Sequence, residues 1–338
     1  MTATIPTVWS AQLQDHIISL DTSFAESLVA AAESSGHLAV LDLRSGQILW
    51  RTDGHRFGVC QLAFSPDGRL LASCGQDGKV CIWESRLGRL LAAHVMDANW
   101  VEHLAWSPSG ETVLASAGKH LCLLTNEGAV RLSYPSHPAT IADIAWQPGR
   151  NRFATVTYGF VSLWTGDSNK PQRQLPWPGS MLKLAWQPQG RYLVTGNQDA
   201  SLQFWILDQS KDLQMSGYDT KVRELSWDNS GRYLASGGGK VVVVWDCSGK
   251  GPKGRKPLLL SWHIEAINAL RFAPSGLCLA SGAADGLIAL WSIQKKESLL
   301  AAAETGSAVS EVAWAGSDCL LVGTAEGRVL SLLARQNP

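Results

Sequence analysis

Within residues 54–83, GHRFGVCQLAFSPDGRLLASCGQDGKVCIW, four side chains have types that could do chemistry. His55, Ser73 and Asp77 are the base, nucleophile and orienting acid of hydrolytic catalysis, and Trp83 closes the run. The same set returns, in the same order and spacing, as His263, Ser281, Asp285 and Trp291. Nucleophilic catalysis needs one strained, exposed hydroxyl facing one oxyanion hole. A set that recurs at the same spacing in a second place answers a structural need instead, so no catalytic residue is expected.

Other reactive patterns are weaker. Eight His and seven Cys lack finger-type or H-E-x-x-H spacing, so no metal is expected. His103 and His120 have no third ligand in sight, and Cys60, Cys74 and Cys81 read as small buried hydrophobes, Cys60 being the one with a claim to exposure. GGGK (237–240) is a tight turn without the remainder of a phosphate loop, and no cofactor is implied. SGKGPKGRK (248–256) is the one basic, glycine-rich stretch, with Lys250, Lys253, Arg255 and Lys256. Without interleaved aromatics it reads as a solvated loop.

The elements that must position these residues repeat. LAFSPDGRLLASCGQDGKVCIW (62–83) is echoed by LAWSPSGETVLASAGKHLCLL (104–124), LAWQPQGRYLVTGNQDASLQFW (184–205) and LRFAPSGLCLASGAADGLIALW (270–291). The closing large residue falls at Leu41, Trp83, Leu124, Trp164, Trp205, Trp245, Trp291 and Leu332. The intervals are 42, 41, 40, 41, 40, 46 and 41 residues, which makes eight units. In each unit an alternating run such as Val59–Phe64 meets a turn, Ser65-Pro66-Asp67-Gly68. A small-residue strand follows, then Asp77-Gly78, a third strand and a more polar fourth. Nothing has helical periodicity. A four-stranded sheet of this kind cannot bury both faces alone, whereas neighbours around an axis can.

The pattern resembles the WD-repeat β-propeller family over nearly the whole chain. Gly54-His55 matches the family's Gly-His, with the His alone kept at His137 and His263. Trp245-Asp246 matches its Trp-Asp, while other copies read Trp83-Glu84, Trp164-Thr165, Trp205-Ile206 and Trp291-Ser292. The resemblance implies an all-β propeller of four-stranded antiparallel blades. It also implies that His55, Ser73, Asp77 and Trp83, and likewise His263, Ser281, Asp285 and Trp291, form hydrogen-bond relays. The eighth unit ends after its third strand, and TVWSAQL (7–13) is left over at the other end. In similar propellers an N-terminal strand completes the last blade, so residues 7–13 are expected there. We therefore expect one domain over 1–338, with repeats over 14–335. Eight blades follow; with the family's commoner seven, one unit would be left as an edge-exposed appendage.

Composition bounds the partners. The chain has 338 residues, 45% of them hydrophobic and 17% charged, with 32 Gly and 15 Trp. Its 29 basic and 29 acidic residues cancel, which argues against nucleic acid. No secretory signal or apolar stretch of membrane-spanning length is seen. An odd number of Cys without C-x-x-C fits a reducing compartment, and a cytoplasmic protein is expected.

Trp106, Trp146, Trp186, Trp227 and Trp314, with Phe64 and Phe272, recur at the end of the first strand and read as core. Trp9, Trp50, Trp177 and Trp262 fall in outer strands or loops. Trp100 differs, standing at the entry to a first strand. In propellers this top face presents partners. Its register collects His16, Gln76, Trp100, Glu102, Gln198, Lys221, Arg223 and Asn268 among mostly small residues. An aromatic and an arginine are usual interface anchors, and one carboxylate, Glu102, is too few for glycoside chemistry. We expect a non-enzymatic scaffold gripping a protein or peptide, monomeric on its own. The alternatives are a hydrolase or, more weakly, a nucleic-acid adaptor using 248–256.

Overall fold

The computed structural model describes residues 3–96, 98, 100–209, 211–295 and 298–334. The expected last residue of the repeats, 335, lies outside these. Among the described residues there is no helix, and the strands form eight sheets, each built on four antiparallel strands, the architecture of an eight-bladed β-propeller. Contacts group the chain into two compact units, Ala11–Ser180 and Met1–Ser10 with Met181–Pro338.

The first unit holds blades one to four, each with its strands in chain order. Blade two shows the local logic. Its first strand, Val59–Phe64, pairs with Leu70–Gly75 through the turn at residues 65–68. Asp67 Oδ1 accepts the Ser65 hydroxyl at 2.6 Å and the Arg69 N–H at 3.1 Å, which closes that turn. Gly68 has φ +77°, and a Cβ there would lie 1.9 Å from Ser23 Oγ of blade one. The third strand, Lys79–Glu84, is buried at its four central positions, whereas the fourth, Leu90–Val95, is mostly exposed. Inner strands covered on both faces are continuously apolar; outer strands need not be.

The second unit holds blades five to eight. The last is Val309–Trp314, Cys319–Thr324 and Arg328–Leu333, with Thr7–Gln12 as its outer strand. The N-terminal segment thus supplies the fourth strand that the eighth repeat lacks. It also does something the sequence did not suggest. Ala3–Thr4 adds in parallel to Leu299–Glu304 of blade seven, Ala3 opposite Ala301 and Thr4 opposite Ala302. One short stretch therefore pairs with two successive blades, and Ile5 between the two strands is buried.

The cores lie between blades. Ala72, Val80 and Ile82 of blade two pack with Leu104, Trp106 and Val113 of blade three. Leu114 and Leu123 of blade three pack with Trp146, Phe153 and Trp164 of blade four. The indole at the end of a first strand also reaches back to the preceding blade. Trp106 Nε1 donates to Ala63 O at 2.9 Å, Trp146 Nε1 to Ala105 O at 3.1 Å and Trp314 Nε1 to Arg271 O at 3.0 Å. Burying such a ring removes ~150–250 Å² from water, worth roughly 4–6 kcal/mol of transfer free energy at ~25 cal/mol per Å². Its single bond adds about 1 kcal/mol and sets the register.

Trp146→Phe keeps a ring but leaves Ala105 O without its donor. A loss of about 1–3 kcal/mol is expected from urea unfolding. An unchanged midpoint would show that the indole bond does not hold the blades.

Candidate functional site

The two Ser-His-Asp sets are internal networks. In blade two, His55 Nδ1 lies 2.9 Å from Asp77 Oδ1 and Nε2 lies 2.8 Å from Ser73 Oγ, which also accepts the Trp83 indole N–H at 2.9 Å. All partners are satisfied when Ser73 donates to Nε2 and Nδ1–H donates to Asp77. Blade seven repeats this, with His263 3.3 Å from Asp285 and 2.7 Å from Ser281, and Trp291 donating at 2.8 Å. Ser73 and Ser281 are fully buried. Each aspartate also accepts an N–H from the incoming loop, Arg56 at 3.2 Å and Ile264 at 3.0 Å. The relays thus fasten the loop that enters the first strand to the turn between strands two and three.

Other blades fill the same place differently. In blade four His137 Nε2 meets Thr155 Oγ1 at 3.1 Å, which accepts the Trp164 indole at 3.0 Å, with no aspartate. In blade six Tyr218 stands for the histidine, its hydroxyl 2.7 Å from Ser236 Oγ and accepting the Trp245 indole at 2.8 Å. Trp177 occupies this register in blade five, half-buried in the loop where it was expected. Burial holds His55, His137 and His263 below the ordinary imidazole pKa, against the pull of Asp77 on His55 and Asp285 on His263. Burial works against the Asp77 charge, yet its bond to His55 still leaves that carboxyl below the usual range.

The antiparallel order puts the loops before first strands and the turns between second and third strands at one end of each blade. Five first strands carry a bulge there, as at Val59/Gln61 and Ile267/Ala269. The bulged residues include Cys60 and Asn268, and a bulge re-aims its side chain. Cys60 is half-buried, and burial, then the Glu102 and Asp77 charges, push its thiol up to about 11, which keeps it unreactive.

In the first unit, Trp100 is 53% exposed while Val101 beside it is buried, its N–H donating to Gly75 O at 3.1 Å. Glu102 is half-buried and accepts the Gly118 N–H at 3.3 Å. His16 and Gln76 are half-buried, with His16 O accepting the Ser34 N–H and Gln76 N–H donating to Gly58 O, both at 2.9 Å. In the second unit, Arg223, Gln198 and Asn268 are exposed and Lys221 half-buried. Asn268 Nδ2 is committed to Val309 O at 2.8 Å. Trp50 is likewise committed, donating to Ser85 O at 2.7 Å and stacking on Trp83. In the basic loop, Arg255 turns inward to Asp246 at 2.9 Å and Ser248 at 3.0 Å.

One titratable group escaped the sequence reading. Burial pushes the Glu311 carboxyl up to about 7, with Arg271 and Lys183 opposing and Glu224 reinforcing the shift. Arg271 itself pairs with Glu224 at 3.3 Å. Among the described residues no three His, Cys, Asp or Glu are placed to hold a metal ion, and no helix is long and apolar enough to cross a membrane.

Comparison with known proteins fits this geometry. The family model described as WD domain, G-beta repeat, matches residues 46–84, 169–205, 210–246 and 255–292. The WD repeat-containing protein slp1 of Schizosaccharomyces pombe is 27% identical over 195 residues, 54% of this chain and 40% of that protein. Meiotic fizzy-related protein 1 of the same organism is 32% identical over 165 residues, 45% of this chain and 38% of that protein. This chain thus matches about two fifths of the length of these relatives. The C-terminal WD40 domain of Sif2 superimposes with a TM-score of 0.83 at 16% identity, covering 99% of both chains. The computationally designed Ika8 protein gives 0.83 at 23% identity over 97% of this chain and 99% of its own.

Three buried neutral histidines set a pH response. Their folded-state pKa values lie below the unfolded value of ~6.5, so the unfolded chain takes up protons first as pH falls. Stability is therefore full above about pH 6.5 and declines as pH drops toward the folded values. Urea midpoints should fall between pH 7 and pH 5, less steeply in His137→Asn. A flat profile would mean the rings are not held neutral.

Proposed function

This chain is a WD-repeat protein, and from that premise we propose that it is a non-enzymatic scaffold holding a protein or peptide partner at the loop end of its blades. The observation that carries this is Trp100: of fifteen tryptophans it alone is exposed. Every other indole is buried or half-buried. A large ring held in water by a rigid base, Val101, is what a partner pocket desolvates with most gain. Glu102, Gln76 and His16 belong to the same unit and supply polar neighbours for such a segment. On the other unit, Lys221, Arg223, Gln198 and Asn268 are the corresponding contact residues. As one folded domain, a monomer in the cytoplasm, the chain would act by presenting these loops.

Catalysis is disfavoured because the serine hydroxyls of both Ser-His-Asp sets are buried and already bonded within their blades. Nucleic-acid binding through 248–256 is disfavoured because Arg255 is spent internally and the net charge is zero.

A partner captured from host lysate and then purified provides the test. Trp100→Ala should weaken its binding by about ten- to a hundredfold, the range of an interface anchor, with thermal unfolding unchanged. Undiminished affinity would remove Trp100 from the interface and the loop-end reading with it.

A further inference from the structure

Blade six contains a cavity of about 180 Å³ between the loop entering its first strand and the GGGK turn. Thr220, Lys221, Gly237, Gly239 and Lys240 line it, with Asp219 as its one carboxylate. The turn closes on the loop because it is glycine. A Cβ on Gly238, at φ +143°, would lie 2.4 Å from Lys221 O, and one on Gly239 would lie 3.1 Å from Thr220 Cγ2. The loop is fixed from below by the Tyr218 hydroxyl, held by both Ser236 and Trp245.

Among the residues at this turn and loop, donors outnumber the acceptors that meet them. Among the described residues, the N–H groups of the lining residues Gly239 and Lys240 meet no acceptor, nor does the Thr220 hydroxyl, nor the N–H of Gly238, which stands between Gly237 and Gly239 without itself lining the cavity. Among the described residues, Lys221, Lys240 and the nearby Arg223 form no ion pair, although Arg232 and Arg271 in the same unit are each paired with a carboxylate. Successive free backbone N–H groups beside cations form an anion-binding concavity. The volume is below the ~300–1,000 Å³ of pockets for drug-sized ligands, so it suits a single charged group rather than a nucleotide. Against Asp219, two lysines and several N–H donors leave the balance with an anion, and a dianion with three acceptor oxygens uses the donors best.

We propose that this cavity receives a phosphate monoester, a phosphoserine or phosphothreonine side chain of the partner. The inference rests on the scaffold reading for the carrier of the phosphate, but the anion site itself is testable without any partner.

The experiment is an amide-resolved NMR titration of the full chain at fixed ionic strength. The probes are N-acetyl-O-phosphoserine amide, inorganic phosphate and acetate. Saturable shifts at Gly238, Gly239 and Lys240 are expected with the phosphoserine probe, at lower concentration than with acetate. Lys221→Gln with Lys240→Gln should weaken binding at least about tenfold, the value of one charge-assisted hydrogen bond. Asp219→Asn should tighten it. No saturable shift at these amides, acetate acting as well as phosphoserine, or indifference to the lysine pair would overturn the site. Inorganic phosphate binding more tightly than the ester would overturn the partner side chain as its source. Trp100→Ala should leave the probe affinity unchanged, so loss of the scaffold reading and loss of this site are separately visible.

Discussion

Everything in this molecule depends on a sheet that is apolar on both faces. Second strands such as Leu28–Glu33 and Thr112–Ala117 are buried at every position. Such a sheet standing alone would expose several hundred square ångströms of hydrocarbon, and at ~25 cal/mol per Å² each uncovered face costs on the order of 10 kcal/mol. Only another blade of the same shape covers it. Repetition, the indole bond from one first strand to the last and the pairing of the N-terminal segment with two blades all serve that requirement.

The same constraint explains why residues of catalytic type recur inside the blades. A blade must tie its incoming loop to the turn beside it, across a dry interior where any unpaired polar atom is costly. Ser73, His55 and Asp77 do this by satisfying one another, with the Trp83 indole as the last donor. Tyr218 does it in blade six with one hydroxyl. Once the loops are pinned, side chains that do not help the fold can be held outward, as Trp100 is.

Much of this was readable in the sequence because it is periodic. The closing large residue every forty or so positions marked the blades, and the unpaired TVWSAQL marked the missing strand. What stayed hidden is what periodicity does not encode. Ala3–Thr4 is two residues long and carries no strand signal. Trp177 and Tyr218 fill the histidine's place with other chemistry, and ring size alone did not reveal that. Glu311 takes its character from Arg271, Glu224 and Lys183, which come from three other repeats. The residues at the loop end were gathered by register, but which of them are free and which, like Asn268, are already bonded depends on distances that register does not give.

Hydrogen exchange of the chain with and without its purified partner tests the central claim most directly. The account expects added protection at the amides of the loop around Trp100, notably Val101 and Glu102, and no change in the outer strand Leu90–Val95 of blade two. Protection confined to outer strands, with the Trp100 loop exchanging as before, would contradict it.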